Sequence, residues 1–292
     1  MVWPFNRRKR KIAKIEITGL IAGAARKRVL KAFKQIEEQQ YPALLLRIDS
    51  PGGTVGDSQE IYSALKRLQQ KVKIVASFGN ISASGGVYIG MGASHIMANP
   101  GTITGSVGVI LRGNNLERLL DKIGISFKVI KSGPYKDILS FDRELTEPER
   151  EILQSLIDSS YQQFVETIAE ARKLEIETVK SFADGRIFTG QQAVELGLID
   201  RLGTEEEAQR WVAELAGLDP DKAEVVLIEE PKPLFNRFVQ NNLQNNLHPS
   251  LASSLMAQLA LSKGTATGIE ASLDWLSFEL SHQGQPLWLY HP

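Results

Sequence analysis

The most informative absence in this chain of 292 residues is that of cysteine. Without thiols the protein can form no disulfide, no thiolate metal site and no cysteine nucleophile. Histidine is also scarce, because the chain has four, and His248, His282 and His291 all lie near the C-terminus. A catalytic site built on histidine therefore has few residues to draw on.

Long apolar runs are missing as well. No stretch approaches the roughly 18 uninterrupted apolar residues of a membrane-spanning helix. No signal peptide is evident, because the charged residues Lys14 and Glu16 follow the basic cluster. We therefore expect a cytoplasmic protein. The alternative to a solvated N-terminus is a peripheral contact with an anionic membrane through Trp3, Phe5, Arg7, Arg8 and Arg10.

Neither sign of charge is in excess, since 34 lysines and arginines balance 34 aspartates and glutamates. The protein therefore has no overall field that would attract nucleic acid. Hydrophobic residues make up 42% and charged residues 23% of the chain, as in ordinary globular proteins. We expect no nucleic-acid partner.

What the chain does have is an alternation of strand and helix patterns from Lys11 to about Lys131. Buried strands such as "ALLLRIDS" follow amphipathic helices such as "RKRVLKAFKQIEEQ". Such alternation predicts βαβ units and a mainly parallel sheet covered by helices. The stretch "FKVIKSG" is predicted to be one of these strands. A long helix should then begin after Thr146, with Glu149 completing a capping box.

The composition divides the chain into three parts. Residues 1–10 form a basic N-terminal arm and residues 11–230 a compact α/β domain. Residues 231–292 begin with a linker rich in Asn, Gln and Pro and are predicted to be partly helical. Because this extension carries Trp275 and Trp288, we expect it to pack against protein, either in assembly or as a cover over a substrate groove.

A candidate nucleophile lies in "ISASGGVYIGMG", where Ser84 precedes Gly85 and Gly86 at the start of a predicted helix. A second glycine pair, Gly52 and Gly53, follows the strand "ALLLRIDS". Glycine lets a backbone approach a ligand closely, and free N–H groups at a helix start stabilise an oxyanion. Each pair alone usually marks a turn. Because the two glycine pairs occur on successive strands, an acyl-transfer site and a pair of ordinary turns are about equally good interpretations.

A serine nucleophile needs a base. His95 begins a predicted buried strand and is expected to be a packed core histidine. Lys136 in "VIKSGPYKDILS" is the alternative, because it follows a strand and a turn at a sheet edge. A free lysine has a pKa near 10.4, so a lysine base must lie where burial lowers its pKa. An exposed Lys136 paired with Asp137 is the competing interpretation.

Five motifs occur in order, namely "RIDSPGG", "ISASGGVYIG", "TITGSVGVI", "KSGPYKDI" and "DGRIFTGQQAVELGLIDRLG". Together they resemble the signal peptide peptidase A family of serine proteases, which are relatives of the Clp protease subunit and the crotonase superfamily. The likeness runs from about Lys11 to Gly217. It implies a Clp protease/crotonase-like βαβ superhelix with a parallel sheet, here in a single-domain form without an N-terminal membrane anchor.

The resemblance also implies roles for individual residues. Ser84 would be the nucleophile, Lys136 the general base and Ser106 the residue that orients the lysine. The oxyanion donors would be the N–H of Gly85 and an N–H from Gly52 or Gly53. Such a site needs no metal and no cofactor.

The function implied is that of a serine endopeptidase with a Ser-Lys dyad. Its substrates would be signal peptides, short apolar peptides or unfolded protein segments. The subunits would form a homo-oligomeric ring, such as an octamer, with active sites shared between subunits. Two alternatives stay open, a crotonase-like enzyme acting on acyl-coenzyme A and a catalytically silent membrane-associated scaffold.

Overall fold

The computed structural model of the protein describes residues 11–228 and the backbone of residues 287–289. These residues belong to one compact unit. Among them, no helix combines the length and the apolar character that crossing a membrane requires. The rest of the predicted extension lies outside the described residues. So do the predicted membrane-contact residues Trp3, Phe5, Arg7, Arg8 and Arg10.

The secondary structure of the described residues alternates between strands and helices in most of the chain. The strands are β1 (Lys11–Thr18), β2 (Ala43–Ser50), β3 (Gly52–Thr54), β4 (Lys73–Ala83), β5 (His95–Ala98), β6 (Ile103–Gly105), β7 (Ile187–Thr189), β8 (Arg201–Leu202), β9 (Glu224–Leu227) and β10 (Leu287–Leu289). The helices are α1 (Gly23–Glu38), α2 (Val55–Leu68), α3 (Gly85–Gly90), α4 (Glu117–Lys122), α5 (Glu147–Arg172), α6 (Ile176–Lys180), α7 (Gly190–Glu195) and α8 (Glu205–Leu215).

Eight of these strands form one sheet, in which neighbours run β7-β6-β4-β2-β1-β9. Strand β4 is shared between two further partners: its first half pairs with β5 and its last three residues pair with β6. Strand β5 in turn pairs with β8. Within this sheet β6 and β7 are antiparallel, and the other pairs are parallel. The predicted α/β architecture with a mainly parallel sheet is confirmed.

The sheet is buried on both faces, which explains the continuous apolar runs of its central strands. On β2, Leu44, Leu46 and Ile48 belong to the larger core beneath α1, α2 and α3. The alternate residue Leu45 belongs to a second core, which includes Trp211 of α8. Because successive side chains point to opposite faces, one strand supplies both layers.

Strand β4 is the longest strand of the sheet and reaches Ala83. The carboxylate of Asp49 accepts a hydrogen bond from the backbone N–H of Ile81 at 3.1 Å. The pairing of β2 with β4 shifts in register between Ile48 and Ser50. Past this irregularity β4 continues along a new neighbour, β6, and ends directly before Ser84.

The predicted strand "FKVIKSG" is wrong for the single chain, because residues 127–133 form no strand in the structure. Phe127, Val129 and Ile130 are exposed there. From residue 108 to residue 148 no residue is buried. The alternating apolar pattern is real, but within the described chain no neighbouring strand is available to pair with it.

Helix α5 begins as predicted, with Thr146 and Glu149 forming a capping box. Its C-terminal half packs into the core through Phe164, Val165 and Ile168. In its N-terminal half Glu149 is the buried residue, whereas Ile152 and Leu156 are exposed. The helix therefore projects from the core towards the 108–148 segment.

Strand β3 has a neighbour on each edge. Ile21 bridges it on one edge, and strand β10 pairs antiparallel with it on the other. The register places Leu287 opposite Thr54, Trp288 opposite Gly53 and Leu289 opposite Gly52. On the other edge of β3, Ile21 N–H donates to the carbonyl of Gly52 at 2.8 Å. The backbone of β10 also approaches α3.

Two helical glycines provide a matched test of core packing. A methyl group on Gly90 would lie 2.7 Å from the fully buried ring of Phe78, whereas one on Gly56 would meet nothing within 4 Å. We expect Gly90→Ala to lower the free energy of unfolding by about 1–3 kcal/mol through overpacking. Gly56→Ala should leave it unchanged or raise it by up to about 1 kcal/mol. Urea denaturation at one protein concentration measures the free energy of unfolding of both variants. Equal unfolding midpoints for Gly90→Ala and Gly56→Ala would contradict the packing described.

Candidate active site

Ser84 occupies a strained turn between β4 and α3. Its backbone has φ 52° and ψ −113°, a region that non-glycine residues rarely adopt. The turn is held from both sides, because Ser84 N–H donates to the carbonyl of Gly105 at 2.8 Å and Tyr88 N–H donates to the carbonyl of Ser84 at 2.9 Å. A serine on a strained strand-to-helix turn is also how α/β-hydrolases hold their nucleophile.

The hydroxyl of Ser84 is buried and has no hydrogen-bond partner among the described residues. The same is true of the hydroxyl of Ser82, two residues earlier on β4. A buried unpaired hydroxyl costs about 1–3 kcal/mol, so each case calls for an explanation. For Ser84 the strained backbone and the unpaired Oγ occur in the same residue. This coincidence marks it as a functional candidate.

The loop after β2 packs directly against the start of α3. A methyl group on Gly86 would lie 3.1 Å from Ser82 Oγ and 3.2 Å from the carbonyl oxygen of Ser50. The absence of side chains at this point lets the two backbones approach. The structure therefore brings Ser50 and the glycine pair of β3 next to the glycine pair that follows Ser84.

The two glycines of β3 differ in what their backbone N–H groups do. Gly52 N–H donates to Ser50 Oγ at 3.0 Å, and the Gly52 carbonyl accepts a hydrogen bond from Ile21 N–H. Backbone groups alternate between the edges of a strand, so Gly53 N–H faces the opposite edge, where β10 pairs. A methyl group on Gly53 would lie only 1.8 Å from the carbonyl oxygen of Ile21, so glycine is required here.

Ser106 lies beside Ser84 at the end of the neighbouring strand. The register pairs Ala83 with Gly105, so the two serines follow paired residues. Ser106 also has a positive φ, 52°, and its N–H donates to the carbonyl of Arg186 at 2.7 Å. It lines an open pocket of about 530 Å³, together with Tyr161 of α5.

The structure does not bring Lys136 to Ser84 within one chain. Lys136 is exposed, whereas Ser84 Oγ is buried without a hydrogen-bond partner in the described region. Lys136 belongs to the 108–148 segment, which contains no buried residue. The geometry of the single chain therefore assembles the serine and the glycines and leaves the lysine apart from them.

His95 is not placed to act on Ser84. It pairs with Val75 near the start of β4, and nine residues of strand correspond to roughly 30 Å. Its ring packs on Trp211 with centroids 4.6 Å apart, and its Nδ1 lies 3.9 Å from a carboxylate oxygen of Asp200. His95 therefore packs on Trp211 as a partly exposed residue at the edge of the core, and not as the core histidine expected from the sequence.

Sequence reasoning missed a charged network around the residue that follows Lys136. Asp137 binds Arg143 and Lys131, and Arg143 also binds the buried carboxylate of Glu149. The hydrogen bond from Arg143 is the main reason why the pKa of Asp137 falls to about 2. The same guanidinium, with the backbone of Thr146, holds the pKa of Glu149 at about 2.

No local signal in the sequence marks this network, because its three principal members are six residues apart and meet through a loop. The sequence suggested Lys136 itself as the partner of Asp137, and the structure gives Asp137 other partners. Within the described ranges no group of three or more His, Asp or Glu residues is placed to hold a metal ion.

Comparison with known proteins decides the family. The model of peptidase family S49 matches residues 66–219. The chain is also 65% identical over 291 residues to a protein of Synechocystis sp. named "Putative protease slr0021", covering 99% of this chain and 100% of that protein. The chain belongs to peptidase family S49. The resemblance to signal peptide peptidase A proteases is thereby confirmed.

Two further relatives bear on this S49 peptidase. A protein of Enterococcus faecium named "Putative signal peptide peptidase SppA" is 36% identical over 212 residues, 68% of this chain and 62% of that protein. The S49 chain therefore spans less than two thirds of that relative's length. A solved mutant of the 1510-N membrane-bound stomatin-specific protease is 15% identical, covers 76% of this chain and 98% of its own, and has a TM-score of 0.51. It shares the fold.

Family membership establishes the coarse activity, that of a serine peptidase. It favours the peptidase over the acyl-coenzyme A enzyme and the silent scaffold. The identities of the nucleophile, the base and the substrate are separate questions, which depend on the geometry of the site.

Proposed function

We propose that the protein is a serine endopeptidase in which Ser84 is the nucleophile and Lys136 the general base. The observation that carries this proposal is the buried Oγ of Ser84, which has no partner among the described residues and lies on a strained turn beside two glycine pairs. Membership of family S49 supplies the reaction class, and the described residues offer no histidine placed to act as the base.

In the first half of the reaction, Ser84 Oγ attacks the carbonyl carbon of the scissile peptide and its proton passes to the amine of Lys136. The oxyanion that forms accepts hydrogen bonds from Gly85 N–H, at the start of α3, and from Gly53 N–H. The C–N bond then breaks, and the protonated Lys136 donates its proton to the leaving amine. The product is an ester between the substrate acyl group and Ser84.

In the second half, water attacks this ester while Lys136 again accepts the proton. The tetrahedral intermediate collapses, Ser84 recovers its proton and the new carboxylate leaves. Ser106 Oγ accepts a hydrogen bond from the lysine amine and so orients it. None of these steps calls on a metal or a cofactor.

The lysine reaches Ser84 from a neighbouring copy of the chain. A lysine base requires burial, and Lys136 is exposed within its own chain. Eleven of the fifteen exposed large apolar side chains of the described residues lie between Leu116 and Leu156. An apolar surface of this extent is typical of an interface. A second copy that covers it would bury the lysine in the same step.

The substrate binds as an extended peptide along the edge of β3 that carries Gly53 N–H. An extended chain can pair with this edge, because β10 does so. Signal peptides, short apolar peptides and unfolded segments can adopt the extended conformation that this edge requires. We propose these as the substrate class, with small or apolar side chains next to the scissile bond.

The last strand of the C-terminal extension then covers the substrate groove. β10 lies along Gly52–Thr54 and approaches α3, so it occupies the space that a substrate backbone needs. A substrate has to displace it before reaching Ser84. Of the two roles expected for the extension, this pairing supports the cover over the groove.

The first prediction concerns the two catalytic side chains. We expect Ser84→Ala and Lys136→Ala each to lower kcat for casein and for a fluorogenic apolar peptide by about a thousandfold or more. Ser82→Ala and Lys128→Ala are matched controls. Ser82 is a buried serine of β4 whose hydroxyl also has no partner among the described residues, and Lys128 is an exposed lysine of the 108–148 segment that carries Lys136. Both controls should retain activity. Wild-type activity in either catalytic variant would reject the dyad.

A mixing experiment tests whether the sites are shared between chains. Ser84→Ala and Lys136→Ala, each inactive alone, should regain activity when dissociated together and reassembled. With random assembly, a site built from two chains is intact in about one quarter of cases. Recovery to that level supports a shared site. No recovery from a mixed assembly that size exclusion shows to have formed would place both residues in one chain.

Removal of the tail tests the cover over the groove. A chain ending at Gln283 lacks β10, so we expect kcat/KM for a short peptide to rise severalfold, chiefly through a lower KM. Full-length protein with Trp288→Pro should behave similarly, because proline interrupts strand pairing. If both variants assemble normally and show unchanged KM, β10 does not compete with substrate.

A further inference from the structure

We propose that Arg143 is a positioning residue for Lys136, which it holds by joining Asp137 to Glu149. This inference rests on the proposed role of Lys136 as the general base. It assigns a function to a charged network that lies outside the Ser84 turn and the two glycine pairs.

The segment that carries Lys136 has little else to fix it within its own chain. No residue from 108 to 148 is buried, and Val109, near the start of the segment, is its one residue that packs against the apolar core. A lysine side chain has four flexible bonds, and a base that is misplaced by about 1 Å can lose a hundredfold in rate. Polar contacts close to Lys136 therefore determine where its backbone lies.

The Arg143 guanidinium binds Asp137, the residue next to Lys136, through Nη2 and Nε. Nη2 donates to Asp137 Oδ1 at 2.9 Å and also to the backbone carbonyl of Asp137 at 3.2 Å. Nε lies 3.4 Å from Oδ2 of the same carboxylate. The contact with the carbonyl matters most, because it fixes the main chain one residue from Lys136 and not only a side chain.

The same guanidinium binds Glu149, in the first turn of α5, through both Nη1 and Nη2. Nη1 donates to Glu149 Oε2 at 2.8 Å, and the side chain of Glu149 is only 2% exposed. The same carboxylate accepts a hydrogen bond from Thr146 N–H at 2.9 Å, which makes it part of the helix cap. Arg143 thus connects the main chain beside Lys136 to a helix that is anchored in the core.

A second cation, Lys131, braces the turn without connecting it to α5. Its Nζ donates to Asp137 Oδ1 at 2.6 Å and to the carbonyl of Pro134 at 3.0 Å. Loss of Arg143 would therefore leave Asp137 paired and the turn intact, while the turn as a whole loses its connection to the helix. The expected defect is in placement of the lysine and not in folding.

The network is fully charged wherever a lysine base can work. Hydrogen bonds from Arg143 hold the pKa of both Asp137 and Glu149 at about 2. A lowered carboxyl pKa stabilises the fold above the unfolded value near 4, and this contribution is lost as the pH falls towards 2. Near neutral pH the network does not titrate, so it fixes a position and does not act as a pH switch.

The test compares Arg143→Gln, Arg143→Lys and Asp137→Asn with the control Arg150→Gln. Arg150 pairs with Glu147 on the exposed side of the same helix turn.

We expect Arg143→Gln to lower kcat for the fluorogenic peptide by about 10–100-fold with KM within about threefold, since substrate contacts are intact. Arg143→Lys should recover part of kcat, and Asp137→Asn, which keeps the backbone carbonyl, should lose less. Arg150→Gln should match wild type.

Each outcome separates this inference from the proposed function. If Lys136→Ala is inactive while Arg143→Gln keeps the wild-type kcat, the positioning role is overturned and the dyad stands. If Lys136→Ala remains active, the dyad itself fails. A loss in Arg143→Gln that affects KM equally, or that Arg143→Lys does not relieve, also contradicts positioning. Should Arg143→Gln fail to fold, kcat and KM of Asp137→Asn decide, and a wild-type kcat there overturns the inference.

Discussion

The candidate site depends on the way strand β4 changes neighbours along its length. Its first half pairs with β5 and its end with β6, and the change occurs where Asp49 accepts the N–H of Ile81. Gly79 makes this possible, because a methyl group there would lie 2.8 Å from an oxygen of the Asp49 carboxylate. The end of β4 is thereby directed to β6, and the carbonyl of Gly105 receives the N–H of Ser84. The strained turn is thus fixed by the sheet on which it stands.

The two halves of the proposed dyad are held by different kinds of interaction. Ser84 lies between strand β4 and helix α3, whose side chains belong to the apolar core, and the surrounding structure determines its backbone against an unfavourable φ. Lys136 lies in a segment without a buried residue, where Arg143 and its two carboxylates supply the anchor. Apolar packing involves no titratable group, and the carboxylates of the network stay ionised far below neutral pH. Both anchors therefore persist under the conditions in which a peptidase works.

Sequence reasoning succeeded where the signal was local. The strands beneath the core and the cap at Thr146 followed from periodicity and from residue spacing of a few positions. The Ser84 turn followed from a serine and two glycines in a row. Reasoning failed where partners are distant in sequence or outside the chain. Phe127 and Val129 alternate as in a strand, yet the single chain provides no neighbouring strand. The pairing of β10 with β3 has no local signature, because the two strands are far apart in the sequence. The binding of Asp137 and Glu149 by Arg143 has none either, because a loop brings the three residues together.

Assembly and activation become one process under the proposed function. The surface from Leu116 to Leu156 is costly to leave in water, and the lysine that belongs to it cannot act as a base while it is exposed. A neighbouring copy resolves both problems at once, since covering the apolar side chains also removes water from the lysine. Meanwhile β10 occupies the edge of β3 beside the buried serine. An unassembled chain would then have its serine covered and its lysine hydrated, so two independent features would keep a lone subunit from cleaving peptides before it meets its partners.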